Sequence, residues 1–178
     1  MFGMLHPERV AAVCDLATGL FLGLAAVPPS AQAVETITCT GSINTTFSPP
    51  ITQELTTVSF SSDAIYVPCI STVPGITDGT HTAAGQVTRS CLTLPDGYPQ
   101  VLTIDWNNGQ SSTAQLSVIT GIVGAVYTVT QAGTITDGAF EGRGIVHQLT
   151  APSLDITLCT LGLGDLPGVN YTIVLEIL

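Results

Sequence analysis

An all-β fold, of the antiparallel Greek-key, immunoglobulin-like sandwich kind, is what this sequence predicts, and three observations carry the expectation. Charged residues make up only 9% of the chain and hydrophobic residues 45%, well short of the usual charged quarter; Thr, which suits a pleated half-buried surface, fills much of the rest. Short alternating apolar and polar segments follow one another, separated by Gly and Pro turn signals. No stretch after residue 33 carries the apolar spacing and caps of a long helix.

The leading segment reads as an export signal. Leu16–Val27 is an uninterrupted run of twelve small and apolar residues, followed by Pro28-Pro29-Ser30 and Ala31-Gln32-Ala33. That order is an apolar core, a helix-breaking stretch and an A-x-A cleavage site, which predicts a leader over 1–33 and a single secreted domain over 34–178, beginning at Val34. Twelve residues are too few to span a bilayer, so no membrane anchor is expected after cleavage. Glu8 and Asp15 offset Arg9, an atypical charge balance for such a leader.

Four cysteines follow the leader: Cys39, Cys69, Cys91 and Cys159. An even number in an exported chain reads as two disulfides. None of them forms a C-x-x-C pair or stands at zinc-ligand spacing from His81 or His147. Local organisation favours Cys39–Cys69, which bracket the first strands, and Cys91–Cys159, which fasten the middle of the chain to its end. The interleaved pairing Cys39–Cys91 with Cys69–Cys159 has similar loop entropy and stays open.

Taken in order, Val34–Thr40 predicts a first strand and Gly41–Pro50 a connection, because Pro49-Pro50 cannot lie in a central strand. Ile51–Ser61 and Ala64–Ile70 read as two further β segments, and Pro74–Thr80 as turn chemistry. Gly85–Leu94 is expected to be the strand bearing Cys91, with Pro95-Asp96-Gly97 turning it into a hairpin.

That hairpin, Val101–Asn107 and Gln110–Ile119 around Asn108-Gly109, permits a register argument. A two-residue loop would set Leu102 and Ile104 against Gln115 and Thr113. A three-residue loop over Asn107–Gly109, with Gly109 left-handed, sets Leu102 against Ala114 and Ile104 against Ser112, and keeps the apolar side chains together. The second arrangement is the expected one.

Further strands are predicted over Gly121–Gln131, Gly133–Phe140, Gly144–Leu149, Leu154–Leu161 and Val169–Leu178. In the last, Val169, Tyr171, Ile173, Leu175 and Ile177 alternate strictly onto one face. Leu102, Ile104, Leu116, Val129, Ile173 and Leu175 are expected in the core, with Trp106 at least partly covered. Ile76–Gly79 recurs as Ile135–Gly138, an echo that two Asp-Gly turns are enough to explain.

The ordered set Cys39-Thr40-Gly41, Phe47-Ser48-Pro49, Tyr66 with Cys69, Arg89-Ser90-Cys91-Leu92, Ile104 with Trp106 and Gly109, Gly133 through Gly142, and Cys159 resembles small secreted β-rich proteins of actinobacteria. The resemblance covers most of the chain after residue 33. It implies export and a disulfide-bonded β fold, and it carries no activity or catalytic residue with it.

Candidates for chemistry are sparse. His147 with Asp155 and a serine such as Ser90 or Ser117 could compose a hydrolase triad, but no G-x-S-x-G elbow is present and both serines fall in expected strands. Asp78, Asp105 and Asp137 could offer oxygens to Ca²⁺, though no D-x-D-x-D-G loop gathers them; Glu141 with Asp105 could form a glycosidase pair. Trp106, Tyr66, Tyr98 and Tyr127 could stack on sugar, although a lone Trp in a β fold belongs more often to the core. Asn44-Thr45-Thr46 and Asn170-Tyr171-Thr172 match the glycosylation pattern without further support.

With three arginines, no lysine and a formal charge of -10, nucleic acid is disfavoured as a partner. The functional expectation is a non-catalytic secreted module for extracellular or cell-surface interaction, with wall glycan or a secreted protein as partner and with no catalytic, cofactor or metal residues assigned. The alternative is a small secreted hydrolase or carbohydrate-active protein.

Overall fold

The computed structural model describes residues 34–94 and 96–178, so residues 1–33, where a leader is expected, and Pro95 lie outside the described residues. Eight strands and one short helix follow in the order β1 (Ile37–Ile51), β2 (Thr56–Ser71), β3 (Gly79–Arg89), β4 (Pro99–Trp106), β5 (Ser111–Val123), β6 (Val126–Gly138), β7 (Gly144–Pro152), α1 (Leu154–Thr160) and β8 (Leu166–Ile177). Each strand pairs antiparallel with its successor, and β8 returns to pair with β1 from Ile37↔Ile177 to Ile51↔Leu166.

The fold is therefore all-β, but it is a closed up-and-down barrel and not the expected Greek-key sandwich. Both architectures bury one face of every strand, so both write the same period-two alternation. What separates them is the partner each strand chooses, and here every connection joins neighbours. Closure pairs the first strand with the last, so no strand has an edge wholly without a neighbour. The inner positions are largely apolar, while the outer ones are rich in Thr and Ser, the reverse of a transmembrane barrel.

The hairpin has the register the sequence argues for. Leu102 opposes Ala114, Ile104 opposes Ser112, and Gly109 is left-handed at φ 85. Trp106 N–H donates to the Gln110 carbonyl at 2.8 Å, closing the three-residue loop.

Several boundaries differ from expectation. β1 does not end at Thr40 but continues to Ile51, through the segment read as a connection. Its two prolines do no harm: pairing with β2 stops at Ser48, pairing with β8 skips from Thr46 to Ile51, and Pro49-Pro50 fall in the unpaired gap. The second and third expected segments merge into β2, where Asp63 points outward. Pro68 sits in a bulge, since Cys39↔Cys69 and Gly41↔Tyr66 leave Val67-Pro68 facing Thr40 alone. The strand expected over Gly121–Gln131 is instead a hairpin, turned between Val123 and Val126.

Leu154–Leu161 is not a strand. It forms α1, whose buried Ile156 and Cys159 are three apart and share a helical face. Gly162, left-handed at φ 72, ends it: its N–H donates to the Cys159 carbonyl, and Leu163 N–H donates to the Leu158 carbonyl. That is a Schellman motif with glycine at the position after the cap. Cys159 thus lies on a helix and Cys91 in the turn after β3, each outside the strand expected for it.

The barrel is filled solidly at one end. Trp106 packs edge-on against Phe140 at 5.9 Å, and its Nε1–H donates to Ser112 Oγ at 2.8 Å, which in turn donates to the Ala139 carbonyl at 2.7 Å. Burying each such large side chain contributes about 1.5–3 kcal/mol. All six core residues named from the sequence are buried. Cys39–Cys69 joins the directly opposed residues of β1 and β2 at this end.

The other end is covered by connections. Cys91–Cys159 ties the segment after β3 to α1. Both sulfurs rest near the Ile51 carbonyl oxygen, at 3.8 and 3.3 Å, and Cys91 N–H donates to the Thr52 carbonyl at 2.8 Å.

The Ile76 and Ile135 echo is not a duplicated unit. Gly79 opens β3, whereas Gly138 closes β6.

Candidate ligand cavity

The wall of the barrel is not continuous between β3 and β4. Their ladder holds only two pairs, Gly79↔Trp106 and Thr80↔Asp105. Beyond these, β3 runs on to Arg89 while β4 begins at Pro99, and the strands diverge. Within this half of the barrel lies a cavity of about 350 Å³, inside the range of small-molecule sites. Val101 is an outward position, 63% exposed, yet it lines the cavity together with Tyr98. The cavity therefore reaches solvent at the β3–β4 gap.

Most of the lining is apolar: Ile43, Phe47, Phe60, Val87, Leu102, Val129 and Leu149 are part of it. Polar side chains also reach it, and several are tied to one another. Gln131 and His147 stand opposite each other on β6 and β7, facing inward. Gln131 Nε2 donates to Gln100 Oε1 at 3.1 Å, so its Oε1 is left to accept from His147 Nδ1 at 2.8 Å. The proton of His147 is thereby on Nδ1, and Nε2 carries a lone pair. That Nε2 is buried without a protein partner, as is the hydroxyl of Tyr66, whose ring lies 5.6 Å from the imidazole.

Burial, followed by the neighbouring His81, pushes the His147 pKa down to about 4, so the ring is neutral near pH 7. His81 also lines the cavity, and its Nδ1 donates to the Thr103 carbonyl at 2.7 Å across the β3–β4 gap. Thr45 and Ser62, paired across β1 and β2, bond to each other at 3.0 Å.

At the mouth, the Arg89 guanidinium lies 4.7 Å over the Tyr98 ring, an arrangement that favours the cation. One Arg89 N–H donates to the Thr93 carbonyl at 3.3 Å. Among the described residues, no carboxylate lines the cavity. Tyr127 Oη donates to the Leu94 carbonyl at 3.3 Å, and burial raises the Tyr127 pKa.

The residues considered from sequence for catalysis are not brought together. His147 is inside the barrel and bonded to an amide, Asp155 is exposed on α1, Ser117 points outward and Ser90 is buried in the turn after β3. Asp105 and Asp137 are exposed on outer faces and Asp78 lies in the β2–β3 connection, half-buried. Among the described residues, no three His, Cys, Asp or Glu side chains gather as metal ligands would. Glu141 is exposed in the β6–β7 turn. Trp106, Tyr66 and Tyr127 are core residues, leaving Tyr98 as the exposed member of the aromatic set. Asn44 and Asn170 are exposed and oppose each other on β1 and β8.

The cavity residues His81, Gln100, Gln131 and Arg89 escape a reading that searches for catalytic sets. A signal for some of them was present: Gln131 and His147 each interrupt the apolar face of an alternating segment, after Tyr127 and Val129 and between Ile145 and Leu149. No protein-family model, curated protein or solved structure matches this chain.

Proposed function

We propose that this protein is a non-catalytic, exported binding module that carries a small, mostly apolar molecule inside its barrel. The observation that supports this best is the cavity of about 350 Å³, apolar over most of its lining and open between β3 and β4. Eight strands make a barrel just wide enough to hold one small ligand. The dispersed acids and the amide partner of His147 give acid–base catalysis no constellation. Wall glycan as a partner draws little support, since the aromatic side chains that would stack on sugar are mostly in the core.

Export is part of the proposal. The A-x-A site before Val34 and two disulfides suit an oxidising, extracellular compartment. N-terminal sequencing of extracellular material is expected to start at Val34; an intact Met1 form in the membrane fraction would defeat this part.

The binding reading is tested with an environment-sensitive apolar dye. The protein is expected to take up one equivalent with a blue-shifted emission. Ala83→Phe at the opening and Val129→Phe inside should each weaken uptake at least tenfold while circular dichroism stays unchanged. Equal uptake by the parent and both variants would place the dye elsewhere and overturn the reading.

A further inference from the structure

We infer that the occupant of this cavity is an elongated amphiphile, with an anionic group at the mouth beside Arg89 and a hydroxyl at its inner end for His147. The inference rests on the reading of the cavity as a ligand site and adds the chemical class and orientation of the ligand.

The inner end is defined by His147, which is 1% exposed. In the arrangement present, its Nδ1–H is committed to Gln131 and Gln131 Nε2 to Gln100, so moving the proton to Nε2 requires both amides to turn over. Nε2 can then only accept. A buried acceptor with no partner is costly, and in native proteins such groups are satisfied by something. His81, bonded through Nδ1 to the Thr103 carbonyl, lines the same region. A ligand that ended in a methyl group would leave the His147 acceptor unmatched, and a hydroxyl would satisfy it.

The mouth is defined by Arg89. Among the described residues there are two arginines and no lysine. In a chain this acidic, one of those two cations lines the cavity and no acid does. The guanidinium is held by stacking on Tyr98 and by one bond to Thr93, and no carboxylate among the described residues pairs with it. Its remaining N–H donors match a carboxylate, which takes two in parallel.

Arg89 and His81 are eight residues apart on β3, about 26 Å along an extended strand. Between the two polar ends the lining includes Phe60, Val87, Leu102 and Val129. An extended apolar chain fits that separation, and a compact polar solute does not.

The test is calorimetric titration of the purified, disulfide-intact protein with hexadecanoate, 16-hydroxyhexadecanoate and 1-hexadecanol, chains long enough when extended to span that separation with a hydrogen bond at each end. The hydroxy acid is expected to bind tightest, roughly fivefold to tenfold over hexadecanoate, the effect of one good hydrogen bond. Arg89→Gln should weaken both acids roughly tenfold and leave hexadecanol unchanged. His147→Phe should abolish the preference for the hydroxy acid while hexadecanoate binds as before, with circular dichroism confirming the fold. Hexadecanol binding as tightly as hexadecanoate, or acids indifferent to Arg89→Gln, would overturn the anionic end. A hydroxyl preference that survives His147→Phe would overturn the inner end. If the apolar dye binds but neither acid displaces it, the amphiphile is wrong and the carrier reading stands; if the dye does not bind, both fall.

Discussion

His81 on β3 donates a hydrogen bond to the Thr103 carbonyl of β4 at 2.7 Å, just beyond the last backbone pair of those strands, Thr80↔Asp105. A side chain thus takes over where the backbone ladder stops. The carbonyl can only accept, so the bonded ring nitrogen of His81 carries its hydrogen. This bond bridges the strands where the gap begins. Replacing His81 with Ala removes the bond and part of the packing, and should destabilise the protein by about 1–3 kcal/mol in urea unfolding. Amide exchange near Thr103 should speed up selectively. Unchanged protection there would show that β3 and β4 are held by other contacts.

His147 makes stability depend on pH. Its pKa is about 4 in the folded protein, lowered by burial and then by His81, against 6.5 in an unfolded chain. As pH falls through 6.5 the unfolded chain takes up a proton that the folded protein refuses, so stability drops from there down to pH 4 and levels off below. Between pH 7.5 and 5 the loss should be about 2 kcal/mol. Chemical denaturation at the two pH values measures it, and His147→Gln should remove most of the difference. A variant that keeps the full difference would locate the effect elsewhere.

The two disulfides should have different local consequences. Loop entropy gives ceilings of about 3.7 kcal/mol for Cys39–Cys69 and about 4.4 kcal/mol for Cys91–Cys159, whose residues are 30 and 68 apart in sequence. Cys39 and Cys69 already oppose each other in the ladder, so replacing both with Ser should lower global stability and leave α1 protected. Replacing Cys91 and Cys159 releases a seven-residue helix, too short to persist alone. Hydrogen exchange at Ile156 and Cys159, or its serine replacement, should then approach that of an open chain while the β-ladders stay protected. Intact protection would mean that burial of Ile156 suffices.

Gly133 and Gly144 form a matched pair for substitution. A Cβ at Gly133 would run into the Gln115 carbonyl oxygen on β5, beside a bulge, whereas one at Gly144 meets nothing. Gly133→Ala should cost about 2 kcal/mol or more and lower Tm by roughly 4–8 °C. Gly144→Ala should be neutral or slightly stabilising. Equal melting temperatures would show that β5 yields without penalty.

The sequence by itself determined what depends on near neighbours. The Asn107–Gly109 loop set the register of β4 and β5, because one slip would have moved Leu102 and Ile104 to the wrong face. Alternation from Val169 to Ile177 marked β8 and its inward side chains, and the even cysteine count marked two bridges. Locally written signals were also misread: Gly162 was a helix stop, and Ile156 with Cys159 a helical spacing that a short alternating run obscured. Tertiary structure alone decided that β8 lies beside β1, since alternation records which face is buried and never which strand is adjacent. It also decided the cavity. Gln131 and His147 are 16 residues apart and bond only because β6 and β7 pair in that register, while Gln100 reaches Gln131 past the intervening β5. A void is space that side chains from different strands leave unfilled, so no single segment encodes it.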